Sequence, residues 1–169
     1  IFYNVSKSCI FLCNFKVWNF IDKTERFVKK NYLIGFTNGC FDLLHEGHID
    51  FLEKAKRKCN YLIVGINSDK SIKKIKGKKR PILNLKQRKK IIKSIKYVDK
   101  VIVFNQETPI NLIKKIKPDI IFKGSDYKKE NVVGYNFQKK RNKSVKIISH
   151  INNVSTTKII NKLTKKFKI

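Results

Sequence analysis

Five short runs of nearly uninterrupted apolar residues recur along this chain: YLIGFT, YLIVGI, KVIVF, DIIFKG and SVKIIS. Stretches with helical spacing separate them: HIDFLEKAKRK, KQRKKIIKSIK and TPINLIKKIK, with TTKIINKLTKKF closing the series. A strand apolar on both faces must be buried on both faces, and a parallel sheet covered by helices achieves that. The alternation predicts an α/β fold with a five-stranded parallel sheet and helices on both faces. Neither a repeat nor a linker interrupts it, so one domain spans residues 31–169, and 169 residues suffice for one core. Residues 1–30 read as an N-terminal extension or linker, with a short helix suggested by Trp18, Ile21, Phe27 and Val28. No Met occurs, which is compatible with a start inside a longer reading frame.

Open α/β sheets bind ligands at the carboxyl ends of their strands. The unusual residues of this chain gather at those positions. Of its three histidines, His45 and His48 lie in TNGCFDLLHEGH, directly after the first predicted strand. A helix beginning near Gly47 would offer unpaired N–H groups and a positive dipole end to an anion. His45 and His48 can then donate to the same phosphate and stabilise charge on a transferring group. Gly47 between them allows close approach. A metal set of Asp42, His45 and His48 is the alternative, although its spacing is not a standard zinc pattern.

KGKKRP, followed by Arg88, keeps Arg80 and Arg88 where the background supplies Lys, and Arg holds phosphate oxygens in a fixed fork. Ser155, Thr156 and Thr157 precede the last helix, where hydroxyls cap the helix and also suit phosphate. Asp126 in KGSDY follows the fourth strand, where a short acid can contact a base or a ribose hydroxyl or cap a turn.

The net charge of +28 invites a nucleic-acid partner. Only five of the forty basic residues are Arg, however, and the Lys, Ile, Asn and Phe excess has the look of drift toward AT-rich codons. A nucleic acid is therefore not expected as partner, and a basic RNA-binding protein on a decayed enzyme fold is the competing class. The four cysteines form no CxxC pair, so reduced thiols and a cytoplasmic location are expected. No apolar run reaches the ~18 residues of a membrane helix, and no membrane partner is expected.

TNGCFDLLHEGH resembles the TxGxFDxxHxGH signature of the cytidylyltransferase-like nucleotidyltransferases, and VSTT resembles their second signature. The string running through LIVGINSDKSIKKIKGKKRPI, TPINLIKKIKPDIIFKGSDY and STTKII is similar to the heptose 1-phosphate adenylyltransferase branch. The resemblance covers about residues 31–163. It implies a Rossmann-like sheet of order 3-2-1-4-5 and transfer of AMP from ATP to D-glycero-β-D-manno-heptose 1-phosphate. Pyrophosphate is released, and the ADP-heptose formed serves the lipopolysaccharide core. By resemblance, His45 and His48 steady the α-phosphate. Thr37, Asn38, Gly39 and Phe41 line the nucleotide site, and Lys76 and Arg88 neutralise the triphosphate and the leaving pyrophosphate. Asp126 lies near the nucleoside, and Ser155, Thr156 and Thr157 hold phosphates. Mg²⁺ accompanies ATP, no protein metal site is implied, and a homodimer is left open. A glycerol-3-phosphate cytidylyltransferase-like enzyme is the alternative within the class. The chain departs from the family at Ser125, at RNKS before the fifth strand and at NNV before STT, which affects turn geometry more than chemistry.

Overall fold

The computed structural model describes residues 32–149 and 156–167, and chain contacts divide the protein into Ile1–Tyr32 and Leu33–Ile169. The extension helix expected at Trp18–Lys30 lies outside the described residues, as does Ser155. The elements are β1 (Ile34–Gly39), α1 (Glu46–Lys56), β2 (Tyr61–Asn67), α2 (Asp69–Lys76), α3 (Leu85–Lys93), β3 (Lys100–Phe104), α4 (Ile110–Ile116), β4 (Ile120–Gly124), α5 (Tyr135–Lys140), β5 (Ser144–Ile148) and α6 (Thr156–Phe167).

The five strands form one parallel sheet in the order β3-β2-β1-β4-β5, the Rossmann-like arrangement that the family resemblance implies. Alternation along the strands loads both faces. Leu62, Val64 and Ile66 of β2 share a core with Phe51, Leu52 and Ala55 of α1 and Ile92 of α3. Burial of a large apolar side chain of this kind contributes roughly 1.5–3 kcal/mol. On β4, Ile120 and Phe122 join that core, whereas Ile121 meets Ile113 of α4 beside Gly134. Gly134 has φ 95°, and a Cβ there would stand 2.9 Å from Ile121 Cδ1, so both backbone and packing call for glycine.

Two aspartates tie down the amino ends of the strands. Asp119 Oδ2 accepts from Ile34 N–H at 2.9 Å, and Asp99 Oδ2 accepts from Leu62 N–H at 2.6 Å. The opposite, carboxyl ends are thereby left to the loops that carry the rare residues.

Two short helices escape the sequence pattern. Asp69–Lys76 contains only Ile72 and Ile75 as apolar residues. It forms because Ser68 caps it, accepting from Ser71 N–H at 3.3 Å, and because Ile72 is fully buried. Tyr135–Lys140 is held by fully buried Gln138, whose side-chain amide donates to Pro118 O at 3.1 Å.

Candidate active site

A cleft of about 510 Å³ opens over the carboxyl ends of β1, β2 and β4, a size suited to a nucleotide-scale ligand. Thr37, Asn38, Gly39, Phe41, His45, Gly47, His48, Lys76, Asp126, Thr156 and Thr157 all line it. Eleven residues scattered over 120 positions of sequence thus meet in one place.

The loop after β1 is under local strain. Phe41 takes φ 46°, a left-handed conformation that costs a non-glycine residue roughly 1–3 kcal/mol. Burial of its ring offsets this, since Phe41 is 7% exposed and joins the core. Its ring lies 5.4 Å from the His48 ring. A Cβ on Gly39 would come within 3.1 Å of the Phe41 ring, so glycine makes room for this fold-back.

His45 occupies the N-cap of α1 in extended conformation, and His48 sits in the first turn. The two rings are 3.9 Å apart, centre to centre. The His45 N–H donates to His48 Nδ1 at 3.3 Å. That bond requires an unprotonated Nδ1, so a neutral His48 carries its proton on Nε2. The α1 N-terminus adds its dipole at the same point.

Two charged networks hold this loop against the residues after β2. Asp42 is 2% exposed, and its carboxylate accepts from Arg80 Nε at 2.6 Å, Ile82 N–H at 2.9 Å and Leu83 N–H at 2.8 Å. Burial pushes the Asp42 pKa up, but the Leu83 and Ile82 amides and the Arg80 guanidinium outweigh it and hold it below the ordinary 3.8. Engaged in this way, Asp42 does not turn to His45 and His48, which removes the alternative metal set.

Arg88 requires a correction. It is fully buried and does not line the cleft. Its guanidinium donates to Leu83 O at 3.0 Å, Cys40 O at 2.7 Å, Asn67 O at 2.9 Å and Asp69 Oδ1 at 2.6 Å. The fork expected to grip phosphate instead joins three backbone segments below the cleft. Arg in a Lys-rich chain did signal a need for fork geometry, but the acceptors are protein carbonyls.

Sequence reasoning also passed over Lys123 and Thr108, which line the cleft. Lys123 belongs to a strand whose five residues are all buried. A lysine inside an apolar strand was the available signal, obscured by thirty-five lysines in the chain. Among the described residues, no cluster of His, Cys, Asp and Glu could hold a metal by itself, and no helix is long and apolar enough to cross a membrane.

A Rossmann-like sheet with HxGH at the helix start beside its central strand defines a nucleotidyltransferase. The chain belongs to the cytidylyltransferase-like family, whose model matches residues 36–162. More particularly, it is 43% identical over 143 residues to the bifunctional protein HldE of Campylobacter fetus, covering 85% of this chain and 30% of that protein. It is 48% identical over 130 residues to HldE of Helicobacter pylori G27, covering 77% of this chain and 27% of that protein. The chain thus spans less than a third of the HldE proteins it matches. A solved lipopolysaccharide core biosynthesis protein from Thermoplasma volcanium superposes with a TM-score of 0.58 at 29% identity, over 73% of this chain and all of that one.

Proposed function

We propose that this domain transfers AMP from ATP to D-glycero-β-D-manno-heptose 1-phosphate, giving ADP-heptose and pyrophosphate. The observation that carries the reading is the pair His45 and His48 at the start of α1, facing a nucleotide-sized cleft. The similarity to HldE proteins and to a lipopolysaccharide core biosynthesis protein supports the sugar phosphate as acceptor.

In this mechanism the acceptor phosphate is itself the nucleophile, and no Ser or Cys attacks. An oxygen of the sugar phosphate attacks the α-phosphorus of ATP as the bond to the β-phosphate oxygen breaks, and pyrophosphate leaves. Catalysis is positioning plus charge stabilisation. His48 donates from Nε2 to the α-phosphate, and His45 assists from the N-cap. Lys76 neutralises the triphosphate and the leaving pyrophosphate, while Thr156 and Thr157 hold phosphates at the start of α6. Thr37, Asn38, Gly39, Phe41 and Gly47 shape the nucleotide site, and Asp126 lies by the nucleoside. Mg²⁺ would accompany ATP as part of the substrate and would offset charge on the triphosphate, as is usual for this ion with substrate phosphates. Residues 31–169 constitute the catalytic domain and residues 1–30 an extension or linker.

The test is pyrophosphate release with ATP plus heptose 1-phosphate, against CTP plus glycerol 3-phosphate. Turnover with the first pair is expected. Turnover with the second pair alone would overturn the substrate assignment.

A further inference from the structure

Lys123 stands one residue before the carboxyl end of β4, next to β1, where the two halves of the sheet diverge. Ligands of open α/β sheets bind in that crevice. The residue is 9% exposed. An ammonium so buried is normally paired with an anion, yet Lys123 forms no ion pair among the described residues. Its Nζ donates one hydrogen bond, to Asn38 O at 3.0 Å, and lies 5.0 Å from the centre of the Tyr127 ring. An ammonium has three donors, so two are left for what enters the cleft.

The groups facing Lys123 are Cys40 from the loop after β1 and Asp126 and Tyr127 from the loop after β4. Burial is the largest influence and brings the Lys123 pKa from 10.5 down to about 8, against the opposing pull of Asp126 and then Cys40. Burial likewise pushes the Tyr127 phenol up, and Asp126 adds to that.

We propose that Lys123 is an anion-binding residue of this cleft, whose ammonium holds a phosphate oxygen of a bound substrate from the β4 side. The inference rests on the nucleotidyltransferase reading of the cleft and adds a contact to it. His45 and His48 come from α1 and Lys76 from α2, whereas Lys123 comes from the other neighbour of β1. A phosphate above the end of β1 is thereby gripped from two directions. A bound phosphate completes the donors and compensates a charge that has no ion-pair partner among the described residues. Both ATP and the acceptor carry such an oxygen, and the substrate whose KM moves identifies which one Lys123 holds.

The experiment compares wild type, Lys123→Met and Lys123→Arg. Calorimetry measures binding of ATP, of inorganic pyrophosphate and of the sugar phosphate, and steady-state assays give both KM values. Loss of one charge-assisted contact weakens at least one ligand by about ten- to a hundredfold in Lys123→Met, whereas Lys123→Arg stays much nearer wild type. Wild-type affinity for that ligand falls as pH rises above about 8, where free Lys123 loses its proton; the Arg variant lacks that fall. A Lys123→Met protein that melts cooperatively and binds all three ligands like wild type overturns the proposal. If heptose 1-phosphate is not turned over but Lys123→Met still loses ATP or pyrophosphate binding, the anion site stands and the substrate assignment fails.

Discussion

Lys123→Met should make the protein more stable while impairing it. The fall of the Lys123 pKa from 10.5 to about 8 sets the size of the effect. At about 1.4 kcal/mol per tenfold change in proton affinity, the folded state bears about 3 kcal/mol for keeping this ammonium charged at neutral pH. Methionine fits a buried strand position and removes that cost. It also leaves the Asn38 carbonyl without its Lys123 donor, a loss of about 1 kcal/mol. The net gain near pH 7 is about 2 kcal/mol, or an increase in Tm of about 4–8 °C for a chain of this size. The pH dependence provides a second check. Between about 8 and 10.5 the unfolded chain keeps the Lys123 proton that the folded chain has released. The unfolded state then binds more protons, so wild-type stability rises with pH across this interval relative to the variant. The cost is fully present below about pH 8 and gone above 10.5. Urea unfolding of both proteins at several pH values, with matched m-values, measures the difference directly. A variant no more stable than wild type near neutrality, or a difference that does not shrink toward pH 10.5, would refute the reasoning.

Three further outcomes follow from the site. His48→Ala should lower kcat by about 10²–10⁴ in a protein that still folds cooperatively, the loss expected for one transition-state donor, with stability lowered by about 1 kcal/mol through the lost His45 N–H bond; a rate within threefold of wild type would remove His48 from the mechanism. Arg88→Lys should act on the fold, because a single ammonium nitrogen cannot span the Leu83, Cys40 and Asn67 carbonyls and the Asp69 carboxylate that the guanidinium reaches from three nitrogens. A loss of about 3 kcal/mol in urea unfolding is expected, and an intact fold with only a raised ATP KM would restore Arg88 as a direct phosphate ligand. Asp42→Asn should cost about 3 kcal/mol by leaving Arg80 without its carboxylate. Since the Asp42 pKa is lowered on folding, its stabilisation is present above 3.8 and lost as pH falls below that value. Wild type and Asp42→Asn should therefore converge in stability in acid, and a constant gap between them would contradict the clamp.

The alternation of apolar strands and helical stretches was enough to predict five strands, their parallel pairing and a site at their carboxyl ends. Burial on both faces leaves a chain little choice, and that requirement is written locally in each strand. The glycines and histidines of TNGCFDLLHEGH were legible for the same reason, since a strand, a tight loop and a helix start lie within twelve residues. Partner choice at a distance was not legible. The sequence offered Arg88 as a phosphate contact and gave Lys123 no role, yet it is Lys123 that lines the cleft. Arg88 meets carbonyls from three segments and is used up inside the protein, whereas Lys123 meets one carbonyl and lines the cleft. Asp42 is likewise set by contacts with residues 80–83, some forty positions away. By itself, the sequence determined the sheet and the helix-start motif, because hydrophobic period and backbone freedom act over a few residues. Only the tertiary structure decided which charges reach the cleft, because that depends on which distant carbonyls and carboxylates fill each side chain's hydrogen bonds first.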